Sequence, residues 1–326
     1  MNDILSICIP TYNRAEVLRG CLENIIPQVK KHDIPIYISD NASGDNTAEV
    51  ISAACAKYPY IFYLRNSQNL GADINIERVL KMTKSKYAWL FGDKYRLFPG
   101  SIDIVLARLT SLDCDLMVVN SSNKPNSKEN VHLRVKDIPG PTIYTDANKL
   151  LGDLGWHMTL ISSLIFSSKL IYGADFNKYS GTQFVQVASI FGYFANKKNS
   201  IFWVASPLFY GCEIASGWQV RTFDVFMRKW FVVIDSLPAP YTEEAKMQCI
   251  KDHGIKSGLF SFRNLLALRG QGHFNYGIYK NYEFYFPYIT DVPRAVLIFI
   301  SLMPAFPYIV FKRIRGALMG IKQENA

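Results

Sequence analysis

Residues 5–14 read Leu-Ser-Ile-Cys-Ile-Pro-Thr-Tyr-Asn-Arg, a short apolar run that ends in a proline and a cluster of polar residues. The apolar run predicts a buried strand. Apolar residues that recur at helical spacing from Leu18 to Val29 predict a helix soon after it. Asn13, followed three residues later by Glu16, is typical of a helix N-terminus. The chain therefore opens with a strand, a polar loop and a helix.

The same order is repeated along the first 120 residues. Further strands are predicted at residues 34–39, 61–64, 87–91 and 116–119, separated by helices that begin near Asn46, Ala72 and Ser101. Strands that alternate with helices of this length predict an α/β fold with a largely parallel, doubly wound sheet. Ligands bind such sheets at the carboxyl ends of the strands, so a functional site is expected in the loops that follow them.

Composition limits the class of protein. Of the 326 residues, 49% are hydrophobic and 19% are charged, which is ample for a packed core and excludes a disordered or collagen-like chain. The six cysteines form no Cys-x-x-Cys pair, so they are expected to be free, buried thiols of a reducing compartment. No signal peptide is recognisable, and a cytoplasmic protein is expected. The net charge is +9, but without a Lys/Arg tract or a nucleic-acid module we expect no nucleic-acid partner.

The loops after the predicted strands carry polar and aromatic residues. They are Pro10–Arg14, Asp40–Asp45 (Asp-Asn-Ala-Ser-Gly-Asp), Asn66–Gly71 (Asn-Ser-Gln-Asn-Leu-Gly) and Gly92–Gly100. The first loop has no Gly-x-Gly-x-x-Gly and the chain has no Gly-Lys-Ser/Thr, which argues against a dinucleotide dehydrogenase and a P-loop nucleotidase.

These loops can bind a nucleotide. Tyr12 can stack on a base, Asp40 or Asn41 can read the polar edge of that base, and Asp93 can bind a ribose or a metal-diphosphate. The simpler interpretation is that the same loops hold ordinary capping and turn residues.

The motifs of residues 4 to about 115 resemble those of family 2 glycosyltransferases with a GT-A fold, in both their order and their spacing. The resemblance implies a Rossmann-like, mostly parallel sheet flanked by helices, with a mainly helical C-terminal region. It also implies transfer of a sugar from a nucleotide-sugar donor to a saccharide acceptor, as in bacterial surface-polysaccharide assembly. The donor-binding residues expected on this basis are Pro10, Tyr12, Arg14, Asp40, Asn41, Asn69, Gly71, Asp93 and Arg96.

The metal-binding Asp-x-Asp signature of that family reads Asp93-Lys94-Tyr95 here. By the resemblance Asp93 is its first acid, but tyrosine is a poor ligand for Mg²⁺ or Mn²⁺. Lys94 and Arg96 are fixed cations that can neutralise part of the diphosphate charge. Three alternatives stay open: catalysis without a metal, weak metal binding by Asp93 and water, or an inactive relative that binds a nucleotide-sugar or a partner enzyme.

An inverting transfer needs a general base near the acceptor hydroxyl. The carboxylate candidates are Asp153, Asp175 and Glu213, with His157 as a fourth. By the resemblance Gln183 stands where relatives carry an acid. The expected acceptor-pocket residues are Trp156, His157 and Trp218.

The C-terminal end is apolar and then basic. Ala295–Phe311 is 17 residues without a charge, interrupted by Pro304 and Pro307 and followed by Lys312, Arg313 and Arg315. The pattern favours an interfacial element over residues 293–322 on an anionic membrane surface, at the inner face of the cell membrane. A lipid-linked saccharide acceptor would lie there. The alternative is a helix packed on the catalytic domain.

The expected division of the chain has three parts. Residues 1–115 are the nucleotide-sugar-binding half and residues 116–225 the acceptor-binding half of a GT-A domain. Residues 226–326 form the helical C-terminal region with its membrane-associating segment.

Overall fold

The computed structural model describes residues 1–125, 132–195, 197–212 and 220–304. The chain divides into two compact units, Met1–Ile214 with Ser236–Lys246 and Ala215–Asp235 with Met247–Ala326. The three-part functional division expected from the sequence stays a prediction.

The first unit is built on one sheet. Its strands within the described ranges are β1 (Leu5–Thr11), β2 (Ile36–Asp40), β3 (Ile61–Arg65), β4 (Tyr87–Leu90), β5 (Tyr95–Leu97), β6 (Leu116–Ser122), β7 (Thr142–Tyr144), β8 (Leu164–Ser167) and β9 (Ile201–Gly211). They lie in the order β3-β2-β1-β4-β8-β6-β9-β5, and β7 also pairs with β9.

Helices flank this sheet and form the second unit. Those of the first unit are α1 (Ala15–Val29), α2 (Thr47–Lys57), α3 (Ala72–Lys81), α4 (Ser101–Ser111), α5 (Ala147–Leu154), α6 (Ser168–Gly173) and α7 (Val185–Phe194). The remaining helices are α8 (Trp230–Asp235), which a wide helical turn (Asp224–Lys229) precedes, α9 (Glu243–Lys256), α10 (Phe262–Gly270), α11 (Tyr276–Tyr282), α12 (Phe286–Ile289) and α13 (Arg294–Leu302). The predicted α/β class and helical C-terminal region are confirmed.

Strand direction differs between the two halves of the sheet. β1 pairs in parallel with β2 and β4, and β2 pairs in parallel with β3, as the alternating pattern predicts. β8 then lies antiparallel between β4 and β6, while β6 and β9 are parallel. The parallel order therefore does not extend over the whole sheet, because β8 is entered from short turns and not from a crossover helix.

The core of the first unit lies between the sheet and its helices. Leu5, Ile7 and Ile9 are fully buried in β1, and the apolar residues of α1 are buried at the predicted helical spacing. Burial of one such side chain contributes about 1.5–3 kcal/mol to folding. All six cysteines are free thiols, as predicted, but only four are buried, since Cys55 and Cys212 are half-buried. Burial raises the pKa of Cys8 to about 12.

The second unit has an aromatic core. The ring of Phe223 contacts those of Phe260, Phe274, Tyr282 and Phe286, at centroid distances of 5.2–6.1 Å. Leu297 and Ile300 of α13 are buried, whereas Phe299 and Leu302 are 65% and 62% exposed. None of the helices in the described ranges is long and apolar enough to cross a membrane. The rest of the predicted membrane segment, residues 305–322, lies outside the described residues.

Candidate functional site

The loops after β1, β2, β3 and β4 meet at one edge of the sheet, because parallel strands present their carboxyl ends together. The backbone N–H of Asn41 donates to the carbonyl of Thr11 at 3.0 Å, and the N–H of Asn66 donates to the carbonyl of Asp40 at 2.8 Å. The Thr11 hydroxyl donates to Asp93 Oδ2 at 3.0 Å. The four predicted loops therefore form one hydrogen-bonded surface.

Asp40 is fully buried beneath this surface. Its Oδ1 accepts from the backbone N–H of Ser43 at 2.9 Å, and its Oδ2 accepts from the Tyr63 hydroxyl at 3.0 Å. Arg65 Nε also forms an ion pair with Asp40 Oδ2 at 3.6 Å. Burial and the Asp40 carboxylate raise the pKa of Tyr63 to about 12. Asp40 holds the loop in place, and its direct contact with a base stays a prediction that requires the loop to open.

Asn41 ties the second loop to the third. Its Nδ2 donates to Asn69 Oδ1 at 2.8 Å and to the Gly71 carbonyl at 3.2 Å, while its Oδ1 accepts from the N–H of Leu70 at 2.9 Å. Gly71 has φ 85°, a left-handed conformation that glycine adopts without steric cost. Asn41, Asn69 and Gly71, all predicted donor-site residues, are brought together.

The predicted cap of α1 is wrong. Asn13 has φ 49°, and its Oδ1 accepts from the N–H of Gly44 at 2.7 Å. The first turn of α1 is capped from the second loop, where Asp45 Oδ2 accepts from the N–H of Ala15 at 2.9 Å. The Oδ1 of Asp45 also accepts from the N–H of Thr47 at the start of α2, at 3.2 Å. One carboxylate thus serves two helix N-termini, which local sequence patterns do not reveal.

Asp93 forms an ion pair with Arg14. The two side chains approach to 3.2 Å, between Arg14 Nη1 and Asp93 Oδ1, and they are 38% and 6% exposed respectively. Pro10 lies near the end of β1, whereas Tyr12 lies in the loop before Arg14 and is 42% exposed. An exposed aromatic residue and a partly exposed arginine therefore lie two residues apart in the loop at the carboxyl edge.

The other two predicted cations, Lys94 and Arg96, differ in their contacts. Arg96 donates to the carbonyl of Val17 in α1 at 3.2 Å and to that of Asp93 at 3.0 Å. A Cβ on Gly20 would lie 2.5 Å from Arg96 Nη2, so this arginine fills the space beneath α1. Lys94 Nζ lies 5.1 Å from the centroid of the Tyr95 ring. Of the two, Lys94 stays the candidate for diphosphate charge.

The general-base candidates have structural contacts where they are described. Asp153 accepts from the Tyr144 hydroxyl at 2.9 Å and from Lys149 Nζ at 2.8 Å. Asp175 accepts from the N–H of Lys178 at 3.1 Å and begins a turn. Neither contact points to a reacting hydroxyl, and the base stays a prediction.

Two further candidates, Glu213 and Trp218, lie outside the described residues. The preceding residue, Cys212, donates its backbone N–H to the Lys94 carbonyl at 3.0 Å. Gln183, at which the resemblance implies an acid in relatives, donates its backbone N–H to Asp73 Oδ2 at 2.8 Å, in the first turn of α3.

The two remaining acceptor candidates are in the interior. Trp156 and His157 are fully buried, so neither side chain is accessible to an acceptor in this structure. His157 Nε2 donates to the Val119 carbonyl at 2.9 Å. Burial, with the charge of Arg134 as a second cause, lowers the pKa of His157 to about 3. These properties are those of a neutral core histidine and not of a general base.

Arg134 is a charged residue that the sequence analysis missed. Its backbone N–H donates to the carbonyl of Ser121 at the carboxyl end of β6. Its guanidinium lies 4.8 Å from the centroid of the Trp156 ring. Its Nε is buried without a hydrogen-bond partner among the described residues, and burial lowers its pKa to about 10. No periodicity or motif around residue 134 indicates this position.

Comparisons with known proteins agree with the fold. The sequence model described as "Glycosyl transferase family 2" matches residues 6–167. The chain is 31% identical over 220 residues to "Abequosyltransferase RfbV" of Salmonella typhimurium, covering 63% of this chain and 65% of that protein. It is 22% identical over 182 residues to "Glycosyltransferase GlyG" of Streptococcus pneumoniae, covering 55% and 60%. The chain thus spans less than two thirds of these curated relatives.

Solved structures share the fold. TarS of S. aureus (residues 1–349, in complex with UDP-GlcNAc) aligns with a TM-score of 0.55 at 14% identity, covering 81% of this chain and 75% of that one. The mannosyltransferase PcManGT of Pyrobaculum calidifontis, in complex with GDP-Man and Mn²⁺, aligns with a TM-score of 0.54 at 13% identity, covering 92% and 86%. At this identity the likeness shows the architecture alone. The motif order, the loop geometry and the sequence match together show that residues 6–167 form a domain of the glycosyl transferase family 2 type.

Proposed function

We propose that this protein is a nucleotide-sugar-dependent glycosyltransferase that adds a sugar to a saccharide acceptor during assembly of a cell-surface polysaccharide. The observation that carries the proposal is the surface at the carboxyl ends of β1–β4. There Tyr12 and Arg14 are accessible above a network that joins all four family motifs. The name of the abequosyltransferase relative supports sugar transfer, and the process is proposed from that likeness.

The residues have separate roles in this proposal. Tyr12 stacks on the base, while Arg14 and Lys94 bind the diphosphate. Asn41, Asn69 and Gly71 hold the loops that surround it. The acceptor oxygen attacks the anomeric carbon as its proton passes to a general base, and the bond to the diphosphate breaks. Glu213 is kept as the base candidate, because Cys212 before it is hydrogen bonded beside Asp93 and Lys94.

A lipid-linked acceptor and peripheral attachment to the inner face of the membrane are the finer parts of the proposal. They are supported by the exposed Phe299 and Leu302 of α13, and by the basic residues that follow in the sequence. An apolar face flanked by cations binds an anionic lipid surface through burial of apolar side chains and through electrostatic attraction.

A catalytically inactive, nucleotide-sugar-binding module is the second candidate, favoured by the absence of a carboxylate at Tyr95. Donor turnover separates the two. The purified chain is first screened for thermal stabilisation by UDP, GDP, CDP and dTDP, each with Mn²⁺ and with EDTA. Release of the stabilising nucleoside diphosphate from its sugar conjugates is then measured with saccharide acceptors. Turnover supports the enzyme, binding without turnover supports the module, and stabilisation by no nucleotide contradicts both.

A further inference from the structure

We propose that Arg14 is the resident cation of the diphosphate site and occupies the place that a divalent metal takes beside the Asp-x-Asp signature. This inference rests on the proposed function, because it assumes that the site receives a nucleoside diphosphate. The ligand class is therefore the diphosphate of a nucleotide-sugar, and the residue that neutralises it belongs to the first loop.

The donor set around Asp93 fits a divalent metal poorly. Mg²⁺ and Mn²⁺ prefer several carboxylate or other hard oxygen ligands. Both carboxylate oxygens of Asp93 are already in use, Oδ1 by Arg14 and Oδ2 by the Thr11 hydroxyl. Among the described residues, no three acidic, histidine or cysteine side chains converge anywhere as a metal site.

Tyr95, at the second acid position of the signature, packs into the core. Tyr95 is buried, and its ring packs edge-on against Phe209 at a centroid distance of 5.2 Å. Its backbone continues into β5, which pairs with β9. The Tyr95 side chain therefore belongs to the core and adds no metal ligand beside Asp93.

Arg14 has the geometry for the role. It directly precedes α1, and Asp93 holds one of its guanidinium nitrogens at 3.2 Å. A guanidinium has five N–H donors in a planar fork that matches phosphate oxygens. With 38% of the side chain exposed and Nη1 alone bonded to Asp93, donors remain accessible to a ligand. The ion pair fixes the orientation of the guanidinium before the ligand arrives.

This arrangement suits the proposed transfer. As the acceptor oxygen forms its bond to the anomeric carbon, the bond to the diphosphate oxygen breaks and its electron pair passes to the leaving group. The Arg14 guanidinium stabilises the negative charge that develops there. The proton of the acceptor hydroxyl goes to the general base, so Arg14 gains and loses no proton.

The test measures binding and not turnover. Isothermal titration with whichever of UDP, GDP, CDP or dTDP binds most tightly, and with its monophosphate, compares the wild type with Arg14→Ala, Arg14→Lys and a control, Arg19→Ala. Arg19 lies in α1 and forms an exposed ion pair with Glu16. Its substitution therefore removes an equal charge that is not paired with Asp93. Each titration is repeated with EDTA and with Mn²⁺.

We expect wild-type affinity for the diphosphate to agree within about twofold in EDTA and Mn²⁺. Arg14→Ala should weaken it about 10- to 100-fold in EDTA, the range for a lost charged hydrogen bond, with a smaller effect on the monophosphate. Since this variant leaves Asp93 without its ion pair, Mn²⁺ should restore part of the loss. Arg14→Lys should be intermediate, and Arg19→Ala should match the wild type.

Wild-type diphosphate binding that disappears in EDTA and returns with Mn²⁺ would overturn the role of Arg14 and leave the proposed function intact. Equal losses for the diphosphate and the monophosphate would do the same. If Arg14→Ala fails to fold by circular dichroism, Arg14→Gln and Arg14→Lys provide the comparison. Failure of the wild type to bind any nucleoside diphosphate would instead overturn the proposed function, and with it this inference.

Discussion

Tyr12 is the residue on which the proposed nucleotide binding most directly depends, since its side chain is 42% exposed in the loop that contains Arg14. Aromatic stacking on a base contributes about 1–3 kcal/mol. Tyr12→Ala should therefore weaken nucleotide binding by about that amount without lowering the melting temperature, as measured by titration and thermal unfolding. Tyr276→Ala, at a tyrosine of similar exposure in the second unit, is the control. An unchanged affinity in Tyr12→Ala would remove this residue from the site.

His157 makes the stability of the protein depend on pH. Its pKa is about 3 when folded, owing to burial, and about 6.5 in an unfolded chain. Above pH 6.5 the side chain is neutral in both states and has no effect. As pH falls below 6.5 only the unfolded state binds a proton, so stability decreases, by about 2 kcal/mol at pH 5. Urea unfolding of the wild type at pH 7.5 and pH 5 measures this loss.

The variant His157→Leu should flatten that dependence, although the loss of the hydrogen bond to Val119 lowers its stability at both pH values. His273→Gln, at a partly exposed histidine, should retain the wild-type difference. If His157→Leu keeps the full decrease between pH 7.5 and pH 5, other groups are responsible for it.

Among the secondary-structure elements, the start of α1 and the start of α2 depend on one side chain, Asp45. A lost N-cap costs about 1 kcal/mol, so Asp45→Ala should lower the free energy of unfolding by about 1–2 kcal/mol. Burial raises the pKa of Asp45, but hydrogen bonds from Thr47 and Ala15 outweigh it, and the net shift is downward. The stabilisation is therefore complete above about pH 4, and it is lost as pH falls through the folded pKa.

Denaturant unfolding at pH 7 checks the cap, with Glu23→Ala on the surface of α1 as the control. Because Asp45 also orders the loops beside Arg14, the same variant should bind nucleotide more weakly. A stability equal to the wild type would show that water replaces the carboxylate at both helices.

At the scale of the whole molecule, the prediction concerns attachment to a membrane through α13. Truncation after Asp291 would not test membrane attachment alone, because it would remove α13, which buries Leu297 and Ile300 in the second unit. Arg269 also donates to the Met303 carbonyl at 2.6 Å. One face of α13 is thus packed within the second unit. The other face exposes Phe299 and Leu302, each able to contribute about 1.5–3 kcal/mol on burial in lipid.

We expect the intact chain to sediment with anionic vesicles, and the double variant Phe299→Ser/Leu302→Ser to bind them at least about tenfold more weakly. High salt should weaken the electrostatic part alone. Ile143→Ser, which removes an equally exposed apolar residue from the first unit, should bind like the wild type. Nucleotide binding should be unchanged in the double variant, because Tyr12 and Arg14 lie in the first unit. An intact protein that stays in solution with anionic lipid would contradict membrane attachment.

The local sequence was sufficient for β1–β4, for the helices between them and for the place of the candidate site. Short apolar strands and helically spaced residues such as Leu18 and Val29 carry their own periodicity, so the α/β class and β1–β4 were predictable. Parallel order then assigns the loops of Tyr12, Asn41 and Asp93 to one edge of the sheet, because strand direction alone decides where the carboxyl ends meet.

Only the tertiary structure decided what each side chain does there. Asp45 caps a helix 30 residues earlier, Arg14 pairs with Asp93 across 79 residues, and His157 is buried where an acceptor contact was expected. The direction of β8 and the cation at Arg134 likewise leave no local pattern. Ion pairs, caps and burial depend on distances between segments remote in the chain, and periodicity and spacing report only on neighbours along it.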